Sequence, residues 1–130
     1  MSTTATGVTK ISTVIVAVAD QDAMIDFYVD KLGFEKRADV PFGDHYRWVE
    51  VGLPGAETTI ALAPPPEGTP TGGTQTGIAL NTADVDAVHA DYKARGVDVD
   101  EQVSRMGEGV PPMFWLRDAE QNVLMVVEGA

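Results

Sequence analysis

Few side chains in this 130-residue sequence could perform acid–base, nucleophilic or metal chemistry. Cysteine is absent, and the two histidines, His45 and His89, are 44 positions apart. Disulfide frameworks, cysteine nucleophiles and thiolate metal sites are therefore excluded. Glu50 lies in an apolar strand-like segment, where burial would raise the pKa of its carboxyl and suit it to general acid or base catalysis. His45, at the start of the same segment, is the second acid–base candidate, whereas His89 is expected to lie on a helix.

Acidic residues dominate the charge of the chain. Nine Lys and Arg stand against 20 Asp and Glu, which gives a formal net charge of −11 at pH 7. This charge repels nucleic-acid phosphates and anionic lipid, so neither is an expected partner, whereas a cationic ligand would be attracted. The hydrophobic content of 44% is sufficient for a folded core. With no membrane-length apolar stretch and no signal-peptide pattern, we expect a soluble cytoplasmic protein.

Two halves of the chain share a helix-opening pattern. Each leading aspartate can cap a helix by accepting the free N–H groups of its first turn. Each predicted helix has one apolar face and ends at a glycine, Gly33 or Gly96. An apolar strand precedes each helix. Three strand-like runs follow each helix, so the sequence predicts two βαβββ modules. The pattern recurs after 64 positions, with Asp20, Asp22, Ala23 and Tyr28 matching Asp84, Asp86, Ala87 and Tyr92.

The repeat also predicts the domain organisation. We expect a flexible tail over 1–9, a first module over 10–63, a Pro/Gly-rich linker over 64–74 and a second module over 75–128. One module has too little core to stand alone. The predicted fold is α+β: two modules form a curved, mostly antiparallel mixed sheet around a cavity, with the helices on the outer face. Open sheet edges favour a homodimer, with modules paired within one chain or between two.

Three motifs resemble those of a known superfamily. They are Val14-Ile15-Val16-Ala17-Val18-Ala19-Asp20, Phe27-Tyr28-Val29-Asp30-Lys31-Leu32-Gly33-Phe34-Glu35 and Leu116-Arg117-Asp118-Ala119-Glu120-Gln121-Asn122-Val123-Leu124. On these motifs, the chain from Lys10 to Glu128 resembles the vicinal oxygen chelate superfamily. That superfamily includes glyoxalase I, bleomycin resistance proteins, fosfomycin resistance enzymes and extradiol dioxygenases. The resemblance implies the fold and a cavity, but no single reaction, because the members differ widely in function.

The resemblance also implies where a metal ion would bind. Metal-using members supply His, Glu or Gln ligands from four strands, and the matching positions here are Thr13, Ala61, Gly77 and Met125. Alanine and glycine have no side-chain donor, and a thioether is too soft for the metals that oxygen and imidazole ligands hold. We therefore expect neither a metal ion nor another cofactor in the cavity.

A small-molecule site is predicted in place of the metal site. Side chains alternate along strands, so Ile15 faces the same side as Thr13. The resemblance implies that Trp48 with Glu50, and Trp115 with Met113, also point into the cavity. Small residues at the base and aromatic walls suit a flat aromatic or apolar ligand, and Gly77→Leu should block the site without unfolding the protein. The predicted ligand-binding residues are Thr13, Ile15, Trp48, Glu50, Ala61, Gly77, Met113, Trp115 and Met125.

Three functional hypotheses follow from these residues. The first is a protein that sequesters or carries a small organic ligand, similar in logic to bleomycin resistance proteins. The second is a metal-independent enzyme in which Glu50 or His45 transfers a proton. The third is a metal-dependent lyase or dioxygenase with displaced ligands, which the scarcity of donors disfavours. A closed core filled by the same side chains, without any ligand, is the structural alternative to all three.

Overall fold

A computed structural model describes residues 7–44 and 46–129. The first half contains β1 (Thr13–Ala17), α1 (Gln21–Asp26), a π-helical turn (Phe27–Lys31), β2 (Glu35–Phe42), β3 (Tyr46–Gly52) and β4 (Thr59–Ala63). The second half contains β5 (Gln75–Thr82), α2 (Val85–Ala94), β6 (Asp98–Val99), β7 (Met113–Arg117) and β8 (Val123–Glu128). Each half has the order βαβββ, so the predicted α+β class and module repeat are confirmed.

The strands form two four-stranded sheets with the same topology. The first sheet has the order β1-β4-β3-β2 and the second has the order β5-β8-β7-β6. In each sheet, the strand before the helix pairs in parallel with the last strand of the module, and the other pairs are antiparallel. The mixed sheet expected from the sequence is thus divided into two hydrogen-bonded ladders.

Both helices begin and end where the sequence predicts. The Asp20 carboxylate accepts the backbone N–H of Ala23 at 3.0 Å, and the Asp84 carboxylate accepts that of Ala87 at 3.1 Å. After the helices, Gly33 has a φ of +84° and Gly96 a φ of +82°. Glycine adopts this left-handed backbone conformation without the steric cost that other residues meet.

The π-helical turn is a difference between the two modules that the sequence did not reveal. The segment from Asp20 to Gly33 is one residue longer than the segment from Asp84 to Gly96. The first helix absorbs this residue by widening, so that the Leu32 N–H donates to the Phe27 carbonyl, five positions back, at 3.3 Å. The apolar stripe alone predicted a regular helix here.

One hydrophobic core joins the two modules. Tyr92, on α2, donates its hydroxyl to the Leu32 carbonyl at 3.1 Å, and Tyr28 donates to the Asp118 carboxylate at 2.9 Å. Full burial of an apolar side chain contributes about 1.5–3 kcal/mol, so this shared core accounts for most of the driving force for folding. Its fully buried members include Val18, Met24, Tyr28, Val49, Val51, Leu62, Val85, Phe114, Leu116 and Leu124.

The edges of the two sheets are adjacent at β1 and β5. Residues of both strands line a cavity of about 210 Å³ and a second cavity of about 270 Å³. No ladder hydrogen bonds join these strands within the described residues, since β1 and β5 belong to different sheets. Over the same residues, neither helix has the length and apolarity that a membrane crossing would require.

Candidate functional site

The predicted site residues of the first module share one face of the first sheet. Cross-strand pairing places Ile15 opposite Ala61 and Ala61 opposite Glu50, while Thr13 lies opposite Thr59. Val16, Leu62 and Val51, their neighbours along the strands, point into the core. Successive strand residues face opposite sides of a sheet. The predicted residues therefore lie on the side away from the core, which we name the first open face.

The first open face is exposed on its edge strands and buried on β4. Ile15 is 62% exposed, Val40 opposite Trp48 is 51% exposed, and Phe42 opposite Tyr46 is 66% exposed. On β4, by contrast, Ala61 is fully buried. Neither of the two cavities at the sheet junction is lined by Trp48 or Glu50. Exposed apolar side chains on neighbouring strands are typical of a ligand groove or a protein interface.

The predicted residues of the second module share the corresponding face of the second sheet. Ala79 pairs with Met125 and Met125 with Trp115, while Met113 pairs with Val127 one row further along. The side chains of Met113, Trp115, Met125 and Val127 are half-buried. We name this surface the second open face. The side chains of these paired residues are apolar, as the sequence predicts. That they contact a ligand is a prediction.

Gly77 lies in an irregular part of β5. The pairing of β5 with β8 shifts between Gln75 and Ala79, and Gly77 has a φ of +72°. A Cβ built on Gly77 meets no atom within 4 Å, so space is available. A leucine would nevertheless strain the backbone at this φ. That Gly77→Leu leaves the fold intact stays a prediction, and this strain makes Ala79 the better position for adding volume.

The Glu50 carboxylate is held by two hydrogen bonds. Thr59 Oγ1 donates to Oε1 at 2.7 Å, and Trp48 Nε1 donates to Oε2 at 2.6 Å. These two donors lower the pKa of the Glu50 carboxyl, and they outweigh its partial desolvation, which acts in the opposite direction. The predicted increase in the pKa of Glu50 is therefore wrong. The sequence could not reveal the pair of donors, because one of them belongs to another strand.

Thr59 is a site residue that the sequence analysis did not select. Its hydroxyl lies 2.9 Å from the Thr13 hydroxyl, and Thr13 Oγ1 is also within donating distance of the Thr59 carbonyl, at 3.2 Å. The hydroxyls of Thr13 and Thr59 and the indole of Trp48 thus form one network around Glu50. Alternation along β4 put Thr59 on the same face as Ala61, and this was the available indication.

His89 and Arg47 do not join this network, and the candidate His45 lies outside the described residues. His89 packs edge-on against Phe114, with ring centroids 4.9 Å apart, and its Nε2 lies 2.7 Å from the Asp100 carbonyl. It therefore lies on the core side of the second sheet, away from the open face. Arg47 forms two bonds to the Asp39 carboxylate and one to Asp22.

The positions that match the superfamily's metal ligands do not fit a metal ion. The Thr13 hydroxyl is engaged by Thr59, and Met125 contributes a half-buried thioether. Ala61 and Gly77 contribute no side-chain donor. In the described ranges, no group of three or more His, Asp or Glu side chains could hold a metal. The donor set thus disagrees with the metal that the resemblance implies.

The two tryptophans lie on corresponding strands of different sheets. Counting from the junction of β1 with β5, each lies on the third strand of its sheet.

The fold and the open faces define a protein built from paired βαβββ modules, with a potential binding surface on the side opposite its helices. The chain belongs to the Glyoxalase/Bleomycin resistance protein/Dioxygenase superfamily, whose family model matches residues 10–126. The resemblance to the vicinal oxygen chelate superfamily is thereby confirmed.

Three proteins are similar to this chain over most of its length. A superfamily member from Sphaerobacter thermophilus DSM 20745 has a TM-score of 0.87 and 33% identity, covering 95% of this chain and 99% of its own. TnmS3, an antibiotic binding protein from Streptomyces sp. CB03234, has a TM-score of 0.83 and 32% identity, covering 97% of this chain and 100% of its own. The protein YetH of Bacillus subtilis (strain 168) is 29% identical over 119 residues, 92% of this chain and 98% of YetH.

Proposed function

We propose that this protein binds a small, flat aromatic or apolar organic molecule without a metal ion, and sequesters or carries it. The observation that carries the proposal is the pair of half-buried indoles, Trp48 and Trp115, on open faces that carry small residues beside them. Rigid aromatic side chains give a large stacking area at low entropic cost. The similarity to an antibiotic binding protein supports a small-molecule ligand.

We propose further that the site is completed by a homodimer. One chain leaves Ile15, Val40 and Phe42 of the first open face exposed and places its two tryptophans in different sheets. A second copy related by a twofold axis would bring the first open face of one protomer against the second open face of the other. Light scattering should then give about twice the chain mass of 13.8 kDa. A monomer at micromolar concentration would contradict the dimer.

Tryptophan fluorescence provides the direct test of binding. Trp48 and Trp115 are the only tryptophans in the chain, so acridine or an anthraquinone bound between open faces should quench the emission of both. In Trp48→Phe and Trp115→Phe, the remaining single indole should still respond. If neither compound changes the emission of the wild-type protein, the proposed aromatic site is wrong.

A volume-filling variant locates the binding surface. Ala79→Leu adds bulk to the second open face, where Ala79 is exposed beside Met125, and should abolish binding of acridine. Ala90→Leu is the matched control, because Ala90 is exposed on α2 and lies away from both faces. Circular dichroism should show that both variants are folded. Equal binding by the two variants would place the site elsewhere on the protein.

The acid–base hypothesis has weaker support than the binding hypothesis. A lowered pKa leaves Glu50 ionised at neutral pH, where it cannot act as a general acid and is a weak general base. We therefore expect a bound ligand to be recovered chemically unchanged. Mass spectrometry of acridine after prolonged incubation, and of any molecule carried through purification, checks this expectation. A modified product would favour the enzymatic alternative.

A further inference from the structure

Glu50 differs from the other carboxylates that form hydrogen bonds in the first sheet. Asp39 is paired with Arg47 and Lys36, and Glu35 is paired with Arg37. Glu50 is half-buried, yet within residues 7–44 and 46–129 it forms no ion pair. A half-buried carboxylate without a cation loses hydration that only its hydrogen-bond donors replace.

Arg37, a cation on the neighbouring strand, already has hydrogen-bond partners other than Glu50. The Arg37 guanidinium lies over Gly52, two positions beyond Glu50, at about 3.0 Å from where a Cβ would stand. It donates to Glu35 and to the carbonyls of Ala56 and Leu53. Arg37 therefore cannot turn to Glu50 without giving up three partners, and the carboxylate keeps its charge unpaired.

The surroundings of Glu50 leave its free lone pairs accessible. Its direct cross-strand neighbours on the open face are Ala38 and Ala61, both too small to cover it. A carboxylate has about four acceptor positions, of which Trp48 and Thr59 use two. These donors also fix the orientation of the carboxylate, and the bond from Nε1 fixes the plane of the Trp48 indole beside it.

We propose that Glu50 and Trp48 form a recognition site for an aromatic ligand that carries a cationic nitrogen, with the cation on the carboxylate and the ring against the indole. This inference rests on the proposed function and specifies its ligand class. A charge-assisted hydrogen bond in a partly dehydrated site discriminates strongly against a neutral analogue. The net charge of −11 adds attraction at longer range.

Three probes of one shape test the ligand class by calorimetry. They are 2-naphthylmethylamine, which is cationic at neutral pH, the neutral 2-naphthalenemethanol and the anionic 2-naphthoate. The wild-type protein should bind the amine about tenfold more tightly than the alcohol, and the naphthoate most weakly. Equal affinities for amine and alcohol would overturn the Glu50 proposal but leave the aromatic site in place. No binding of any probe would overturn both.

An isosteric substitution then assigns the preference to Glu50. Glu50→Gln should reduce the ratio of amine to alcohol affinity to about one, with alcohol binding changed by less than about threefold. Glu57→Gln removes the same charge from an exposed loop side chain, which lies 4.0 Å from Lys10, and should keep the full preference. If Glu50→Gln retains the preference for the amine, or if both variants lose it equally, the attraction arises from the overall charge. The proposed recognition site at Glu50 and Trp48 would then be wrong.

Discussion

The two open faces share one strand order and differ in the residue at the position of Glu50. Across the first sheet, one row of paired residues is Ile15, Ala61 and Glu50, and across the second the matching row is Ala79, Met125 and Trp115. The charged position of one face is therefore an indole in the other. The first face carries the polar network around Glu50, whereas the second is built from two methionines, valines and a tryptophan.

This difference shows which features the internal repeat preserves. Helix caps, terminating glycines and strand pairing recur because they determine the backbone of each module. The side chains on the open faces are not needed for the shared core, so they are free to differ. Two faces brought together in a dimer would give a ligand one polar wall and one apolar wall, which fixes its orientation.

The largest expected contrast between the modules is at the two equivalent tyrosines. Tyr28 donates to the buried carboxylate of Asp118, whereas Tyr92 donates to a backbone carbonyl. Hydrogen bonds to charged groups contribute about 1.5–3 kcal/mol and neutral ones about 0.5–1.5 kcal/mol. Tyr28→Phe should therefore lower the free energy of unfolding about twice as much as Tyr92→Phe, as measured by urea denaturation.

The stability difference between the two tyrosine variants depends on the other hydrogen bonds of Asp118. The Asp118 carboxylate also accepts the backbone N–H groups of Glu120 and Asn122, both at 2.9 Å. If these two bonds compensate for the lost hydroxyl, the two tyrosine variants will lose equal stability. That outcome would mean that the modules are equivalent in energy at this position despite their different partners.

A second contrast concerns the strands that begin each module. β1 pairs with β4 in an unbroken register, whereas β5 is irregular at Gly77. Gly77→Ala should lower the free energy of unfolding by about 1–2 kcal/mol, because a side chain at a positive φ strains the backbone. Ala79→Ser, two positions further on the same exposed face, is the control and should change it by less than about 0.5 kcal/mol. Similar losses in both would show that β5 relaxes to a regular strand.

The fold was predictable because its determinants are local and repeated. A capping aspartate, a glycine that ends the helix and an apolar periodicity each act within a few residues. Because these signals recur after about 64 positions, each predicted element was supported twice. The π-helical turn was missed because one extra residue in a short helix does not change the apolar stripe enough to notice.

The chemistry of the candidate site depends on contacts between strands that the sequence did not specify. The pKa of Glu50 depends on Thr59, a residue from another strand that becomes its partner only after folding. The position of Gly77 in a bulge depends likewise on the register of β5 with β8. The resemblance implied a curved sheet around a cavity, but how far one chain encloses that cavity depends on how its sheets are arranged, which no local pattern specifies.

The smallest expected contrast is between two arginine clusters. Arg47 binds Asp39 and Asp22 in the first module, and Arg117 binds Asp98 and Asp100 in the second. The Asp39 side chain is 21% exposed, whereas those of Asp100 and Asp98 are 34% and 55% exposed, so solvent screens the Arg47–Asp39 pair least. Arg47→Gln should cost up to about 1 kcal/mol of stability and Arg117→Gln less, with both losses reduced by added salt.

The pH dependence of these losses has a definite sign. The bonds from arginine lower the pKa of both Asp39 and Asp98 in the folded state. A carboxyl whose pKa is lowered by folding stabilises the protein above its unfolded pKa, about 3.9, and this contribution disappears as the pH falls toward the folded pKa. The difference between wild type and Arg47→Gln in urea should therefore be full at about pH 7 and smaller at about pH 3. A difference that stays constant across this range would mean that Arg47 stabilises the sheet through the packing of its side-chain carbons and not through Asp39.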